Sequence, residues 1–176
     1  QRILQIYRRS GRYAASVEPK IIQLEQNRVD LIFEINEGPV TGIRRIDIIG
    51  NKKFDDGKLR RTIATKETRW YRFFSSDDNY DPDRATLDRE LLRKFYLERG
   101  YADFRVLSAV AELTHERSNF FLTFTVEEGE LYKFGKIELA TTLRDLDAET
   151  LRGSLTITEG ETYNAEAIEK SIEKLN

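Results

Sequence analysis

The sequence contains no cysteine and a single histidine, His115. Without cysteine there are no disulfides, no thiol nucleophiles and no thiolate-ligated metals. One histidine leaves Ser-His-Asp catalysis and multi-histidine metal sites resting on a single side chain, so most common enzyme chemistry is poorly supplied. No apolar run approaches the roughly 18 residues of a membrane-spanning helix. A surplus of one charge is missing as well: 29 Lys and Arg stand against 31 Asp and Glu, a net charge of −2. No basic field is offered to nucleic acid, whose binding needs many cations on one face. The first residues do not read as a secretory leader. Gln1–Ser10 reads as the closing turns of a helix with Gly11 just past it, and the sequence stops at Asn176 inside another helical pattern. The expectation is a stretch of something longer.

The 176 residues amount to one domain or two small ones, at about 100–200 residues per domain. Tyr13–Val17 and Ile21–Leu24 read as extended, divided by Pro19, with a turn at Asn27-Arg28. Val29, Leu31, Phe33 and Ile35 then alternate with more polar residues, the period of a strand with one apolar face. Ile43–Ile49 is a second strand, ended by Gly50-Asn51. Asp55 caps a short helix carrying Leu59 and Ile63. Asp81-Pro82 opens the strongest helix, with Pro at the first helical position and an apolar stripe of Leu87, Leu91, Leu92, Phe95 and Tyr96. Gly100 ends it. Phe104–Leu113 is extended, Thr114–Asn119 turns, and Phe120–Glu127 is a strand with Phe120, Leu122, Phe124 and Val126 on one side. Ile137 and Leu139 begin another strand, Asp147 caps a short helix, and Asn164 caps the last one.

These elements recur. Arg9-Ser10-Gly11-Arg12-Tyr13-Ala14 resembles Glu98-Arg99-Gly100-Tyr101-Ala102, read with one residue missing in the second copy. Glu37-Gly38 returns as Glu128-Gly129, and Ile46 and Ile48 as Ile137 and Leu139, all at an offset of 91. The Asp55…Leu59-Arg60 helix start returns as Asp147…Leu151-Arg152 at an offset of 92, and Tyr80-Asp81 as Tyr163-Asn164. A period near 90 residues is a domain in tandem. One unit reads strand, helix, loop, helix, strand, turn, strand. The expected division is residues 1–38, the end of one unit; 39–130, a complete unit; and 131–176, the start of a third.

A β-α-α-β-β unit of this length, closed by Glu-Gly and repeated in tandem, resembles the POTRA (polypeptide-transport-associated) domain. The finer pattern is similar to the BamA-type outer-membrane assembly factors of Gram-negative bacteria. It is carried by Gly11–Val17 with Asn27-Arg28-Val29-Asp30-Leu31, by Ile46–Asn51, by Trp70-Tyr71, by Tyr96…Arg99-Gly100-Tyr101-Ala102, and by Glu128-Gly129 before Tyr132-Lys133. The match runs along the whole chain. It departs after Leu139, where Ala140-Thr141-Thr142 replaces the Gly50-Asn51 turn. The resemblance implies an α+β fold of tandem units, each a three-stranded mixed sheet with two helices on one face. It places this stretch in the later part of the second unit, all of the third and the early part of the fourth. It further implies a periplasmic scaffold without catalysis, ahead of a membrane barrel not contained here. The partners it implies are unfolded outer-membrane β-barrel proteins and accessory assembly lipoproteins. No cofactor or metal is expected.

A three-stranded open sheet has edges, and an edge strand carries unpaired N–H and C=O groups. Phe104–Leu113 has neither Pro nor Lys to blunt it. Its apolar residues fall on both faces: Phe104, Val106 and Val110 on one, Leu107, Ala109, Ala111 and Leu113 on the other, with Arg105 and Glu112 between. Such a strand suits β-augmentation by an extended peptide, and the resemblance implies the same edge. It also reads as a strand covered by a loop or a neighbouring unit. The aromatic group Trp70, Tyr71, Phe73 and Phe74 reads either as a partner anchor or as a loop folded over the helices. Gly38, Pro39, Gly42, Gly129 and Tyr132 lie at the unit junctions and are expected as hinges.

His115 reads as exposed in the hairpin turn. Asp77, Asn79, Asp81 and Asp83 imitate a calcium-loop spacing, but the loop glycine is missing and Asp88 stands where a bidentate Glu is needed; capping explains Asp81 and Asp83 better. Arg44–Arg61 is net +4 and Asp77–Glu90 net −4, which reads as a solvated surface or as partner steering. Two other functions stay open. One keeps the fold in a secretion porin or related translocation protein exporting a dedicated partner. The other is a carboxylate hydrolase, against which the lone histidine and the lack of paired acids argue.

Overall fold

The computed structural model describes residues 2–68, 80–140 and 151–175. Its elements are α1 (Arg2–Arg9), β1 (Ser16–Leu24), β2 (Arg28–Asn36), β3 (Gly42–Ile49), α2 (Asp56–Thr62), α3 (Pro82–Leu97), β4 (Arg105–Leu113), β5 (Asn119–Glu127) and α4 (Ala165–Leu175). β1 and β2 form a two-stranded sheet, and the second sheet has the order β3-β5-β4. In that second sheet Gly42 donates its N–H to the Ser118 carbonyl, and Gly50 lies against the Val126 carbonyl. Contacts advancing together along both strands mean that β3 and β5 run parallel. β4 and β5 are joined by residues 114–118 alone, too short for a parallel crossover, so they are antiparallel. The sheet is therefore mixed, as expected.

Two compact units make up the chain. The first comprises Gln1–Asp47, Ala64–Thr86 and Ala109–Phe124. In it β1 and β2 pair antiparallel from Ser16↔Asn36 to Leu24↔Arg28. The two extended pieces expected around Pro19 are one continuous strand, with Pro19 opposite Phe33. Each strand of a two-stranded ladder keeps an open side, and a proline facing that side breaks no ladder bond. Tyr13 lies in a turn before the strand. The hairpin turn is centred on Gln26 and Asn27, whose φ values are 63° and 56°. Val29, Leu31, Phe33 and Ile35 share one face, as their alternation predicts, and that face is exposed. Tyr13 packs edge-on against Phe120 and beside Tyr80, with ring centroids 4.8 and 6.2 Å away.

The second unit comprises Ile48–Ile63, Leu87–Ser108 and Thr125–Asn176. Asp55 caps α2 by accepting the Lys58 N–H at 2.9 Å. Leu59 and Ile63 are both buried, although Ile63 has already left the helix in an extended conformation. Along α3 the buried residues are Asp88, Leu92, Phe95 and Tyr96. Leu87, assigned to the stripe by spacing, is exposed. Tyr96 stacks on Phe104 at 4.0 Å, and Phe54 meets Phe95, Tyr96 and Tyr101 edge-on. Such edge-on contacts are favoured by the ring quadrupole. At the start of α4, Asn164 caps as expected, accepting the Ala167 N–H at 3.1 Å. The expected strand at Ile137 and Leu139 is not formed; Lys133 makes an isolated bridge with Thr162. A strand needs a ladder to hold it, and here Phe134 instead exchanges hydrogen bonds with the 160–161 backbone. Asp147 and its helix start lie outside the described residues.

The repeat is visible in the bonding. Tyr7 donates its hydroxyl to Glu37 at 3.1 Å, and Tyr96 donates to Glu128 at 2.8 Å. Thr41 N–H donates to the Gly11 carbonyl and Tyr132 N–H to the Gly100 carbonyl, both at 2.8 Å. Gly38 (φ 64°) backs onto Ala14, and Gly129 (φ 74°) onto Asp103. The counterpart of Ala14 is thus Asp103, not Ala102. No residue is missing after Gly100; the difference lies in the hairpin turn, residues 25–27 in one copy and 114–118 in the other.

Candidate functional site

β5 is the centre of the second sheet, and β3 and β4 are its two edges. The β3 edge is occupied. Ile43 donates its N–H to the Thr68 hydroxyl at 3.0 Å, and its carbonyl accepts the Thr68 N–H at 2.7 Å. Two turns of pleat on, Ile46 donates its N–H to the Glu67 carboxylate at 3.1 Å. Between them Arg44 and Arg45 are both exposed while Ile43 and Ile46 are both buried. That slip in the alternation is the mark of a β-bulge, which turns Ile46 N–H to the same side as Ile43 N–H.

The β4 edge differs. Among the described residues no strand pairs with its outer side. Thr114 donates its N–H inward to the Asn119 carbonyl at 2.8 Å. Because backbone groups alternate sides along a strand, the N–H groups of Leu113 and Ala111 point outward. Exposed apolar side chains line the strand at Leu107, Val110 and Leu113, 58%, 47% and 36% accessible. Val110 was expected to share a face with Phe104 and Val106; instead exposure slips by one residue at Ser108-Ala109. Phe104 precedes the strand and is buried beneath Tyr96. Its side chain is not available to a partner. Arg105 is held by Glu127 on β5. A cleft of about 1020 Å³ opens beside the start of β4, with Lys52, Lys53, Arg93 and Glu130 in its wall.

Trp70, Tyr71, Phe73 and Phe74 lie outside the described residues, as do Asp77 and Asn79. Asp81 caps α3, accepting the Asp83 N–H at 2.9 Å. His115 is exposed in the turn between β4 and β5. Of the junction residues, Gly42 has a local reason to be glycine: a side-chain carbon there would run into the Thr68 hydroxyl. Tyr132 is anchored by its hydroxyl, which donates to Asp103 at 2.6 Å. That bond is the main reason its pKa is raised.

Sequence reasoning passed over the Glu37 and Glu128 side chains, taking the Glu-Gly pairs only as the close of each unit. Glu128 is buried and accepts from two elements: the Tyr96 hydroxyl on α3, and the Lys53 N–H at 3.0 and 3.2 Å. It ties the loop after β3 and the middle of the core to the end of β5. Burial, and then the bond to Glu128, push the Tyr96 pKa well above the ordinary tyrosine value. The signal was present in the sequence as a Tyr-x-x-x-Gly followed by Glu-Gly in both copies.

A family model described as "POTRA: Surface antigen variable number repeat" matches residues 41–129, half of the chain. The chain belongs to the POTRA family. Curated relatives are of the BamA type. The outer membrane protein assembly factor BamA of Neorickettsia risticii is 27% identical over 165 residues, which is 94% of this chain and 22% of that protein. BamA of Neisseria meningitidis serogroup B is 27% identical over 87% of this chain and 19% of that protein. The chain therefore spans about a fifth of the length of these relatives. The crystal structure of Haemophilus influenzae BamA POTRA3-5 superposes with a TM-score of 0.58 at 20% identity, covering 98% of this chain and 65% of that one. The fold is thus α+β, that of POTRA units in tandem. No helix among the described residues is long and apolar enough to cross a membrane.

Proposed function

We propose that this chain is a periplasmic scaffold region of an outer-membrane β-barrel assembly factor, and that it holds extended client segments by β-augmentation on β4. The observation that carries the reading is the asymmetry of the sheet. β3 has the outward groups of Ile43 and the N–H of Ile46 taken up by Thr68 and Glu67, while β4 presents outward N–H groups beside exposed Leu107, Val110 and Leu113. Backbone pairing reads an extended conformation more than a sequence, and shallow apolar contacts add to it without selecting strongly. That suits unfolded barrel proteins of many sequences. Accessory lipoproteins are the second partner class, and the same edge serves them. The names of the BamA relatives, outer membrane protein assembly factors, support the reading. The task needs no catalytic group.

The test is an NMR titration of the labelled chain with peptides from outer-membrane β-strands and with scrambled controls. Amide shifts are expected along β4 and to be similar for different strand peptides. Ala111→Pro deletes an outward N–H and fixes φ without removing a bond to β5. It is expected to abolish the shifts while leaving the spectrum otherwise native. Binding that survives this substitution, or shifts that avoid β4, would overturn the proposal.

A further inference from the structure

Resting on the proposed use of β4, we infer that Glu67 and Thr68 are an edge guard that confines strand capture to β4 by occupying three outward backbone groups of β3. Three hydrogen bonds form it. Thr68 takes both polar groups of Ile43, the N–H through its hydroxyl at 3.0 Å and the carbonyl through its own N–H at 2.7 Å. Glu67 takes the N–H of Ile46 at 3.1 Å. The segment lies close enough on the strand that only glycine fits at Gly42.

Side chains serve this purpose better than another strand would. A further strand would close β3 only by presenting a new edge of its own. A carboxylate and a hydroxyl end the ladder, because neither continues it. The bulge at Arg44-Arg45 is what brings the Ile43 and Ile46 N–H groups to the same side. It belongs to the same arrangement.

The arrangement recurs in the next repeat. Glu159, at an offset of 92 from Glu67, accepts the N–H of Ile137, at an offset of 91 from Ile46, with a distance of 2.9 Å. Phe134, the counterpart of Ile43, gives its N–H to the Glu161 carbonyl and accepts from Gly160 N–H, both at 2.8 Å. Segment 133–137 forms no regular strand, yet a carboxylate takes the Ile137 N–H in the same way, while Phe134 is held by backbone groups. A device present in two copies with different surrounding sequence belongs to the repeat and is no accident of one loop.

The experiment compares the native chain with the double variant Glu67→Ala, Thr68→Ala. Each is titrated with an extended peptide of alternating apolar and polar residues. In the native chain shifts are expected on β4 only, with one peptide bound per chain. In the variant a second set is expected on the amides of 43–47, with two peptides bound per chain and the β4 shifts unchanged. Amide exchange at Ile43 and Ile46 is expected to accelerate about five- to tenfold, the worth of one hydrogen bond each. A variant that keeps its dispersed spectrum and still binds peptide on β4 alone overturns the guard. If the double variant does not fold, Glu67→Ala with native Thr68 gives the same readout at Ile46. Binding absent from β4 in the native chain yet gained on β3 in the variant would sustain the guard and sink the reading of β4. Binding on neither strand would sink both.

Discussion

Replacing Glu128 by Ala is expected to cost about 3 kcal/mol of stability, while the same change at its repeat counterpart Glu37 leaves stability where it was. Glu128 is 7% exposed, and Tyr96, one of its donors, is fully buried. Removing the carboxylate strands two donors, the Tyr96 hydroxyl and the Lys53 N–H. A buried donor left without an acceptor costs about 1–3 kcal/mol, and the Lys53 N–H, part-buried on an exposed residue, costs less, so about 3 kcal/mol is the expected sum. Glu37 accepts from one exposed hydroxyl, that of Tyr7, which finds water as readily. Its contact with Arg12 spans 3.9 Å on the surface, where ion pairs contribute little. Urea denaturation followed by circular dichroism measures both, with amide exchange at Leu122 and Phe124 as the local readout. In a chain of this size about 3 kcal/mol lowers Tm by about 6–12 °C. Glu128→Gln, which keeps an acceptor oxygen, is expected to fall between the native chain and Glu128→Ala. Equal losses at Glu128 and Glu37 would refute the reasoning, because the tyrosine bond is shared while burial and the second donor differ.

The same contrast applies to Phe124→Ala, at a fully buried site, and Phe33→Ala, its counterpart at an offset of 91 that is 52% exposed. The first is expected to cost about 3–5 kcal/mol by calorimetry or denaturation, and the second well under half of that. Gly50→Ala is expected to unfold the end of β3, because the added carbon would meet the Val126 carbonyl at a φ of 98°; loss of exchange protection at Ile48 and Val126 would report it. Alkaline titration supplies a fourth test. The raised pKa of Tyr96 means that the folded chain keeps a proton which the unfolded chain gives up near pH 10. Its contribution is full below about pH 10 and is lost as pH rises beyond it, by at most about 1.4 kcal/mol per pH unit. Tyr96→Phe should flatten that part of the stability profile, and an unchanged slope would count against the bond to Glu128.

Much of the fold was legible because it is written in short-range pattern. The alternation Phe120, Leu122, Phe124, Val126 gives a half-buried strand directly, and each of the four is buried. Asp55, Asp81 and Asn164 announce helix starts because capping is a local bond from a side chain to the next turn. What failed was set by partners distant in sequence. Ile137 and Leu139 have the composition of a strand but no ladder among the described residues. Pro19 looks like a break until the strand is seen to have an open side. Leu87 satisfies the helical spacing, yet Asp88 turns inward in its place, and no periodicity of apolar residues announces a buried carboxylate.

The candidate site divides along the same line. That Phe104–Leu113 would be an edge follows from counting strands in the unit and from the absence of Pro and Lys. Which of the two edges is open does not follow, because it depends on residues 21 to 25 positions away from the strand they close. Glu67 and Thr68 belong to a stretch that reads as irregular, and nothing in its pattern says that its side chains end a sheet. The repeat holds the missing information. Glu67 and Glu159 stand at nearly the same offset as Ile46 and Ile137, and only a bond between the two positions requires them to move together. Side chains that act on backbone leave no periodic trace, so a tandem sequence reveals them by the spacing it keeps between copies. Tyr7 with Glu37 and Tyr96 with Glu128 are detectable by the same rule. It separates residues kept for geometry from those, such as Leu107, Val110 and Leu113, whose exposed chemistry is available to a partner.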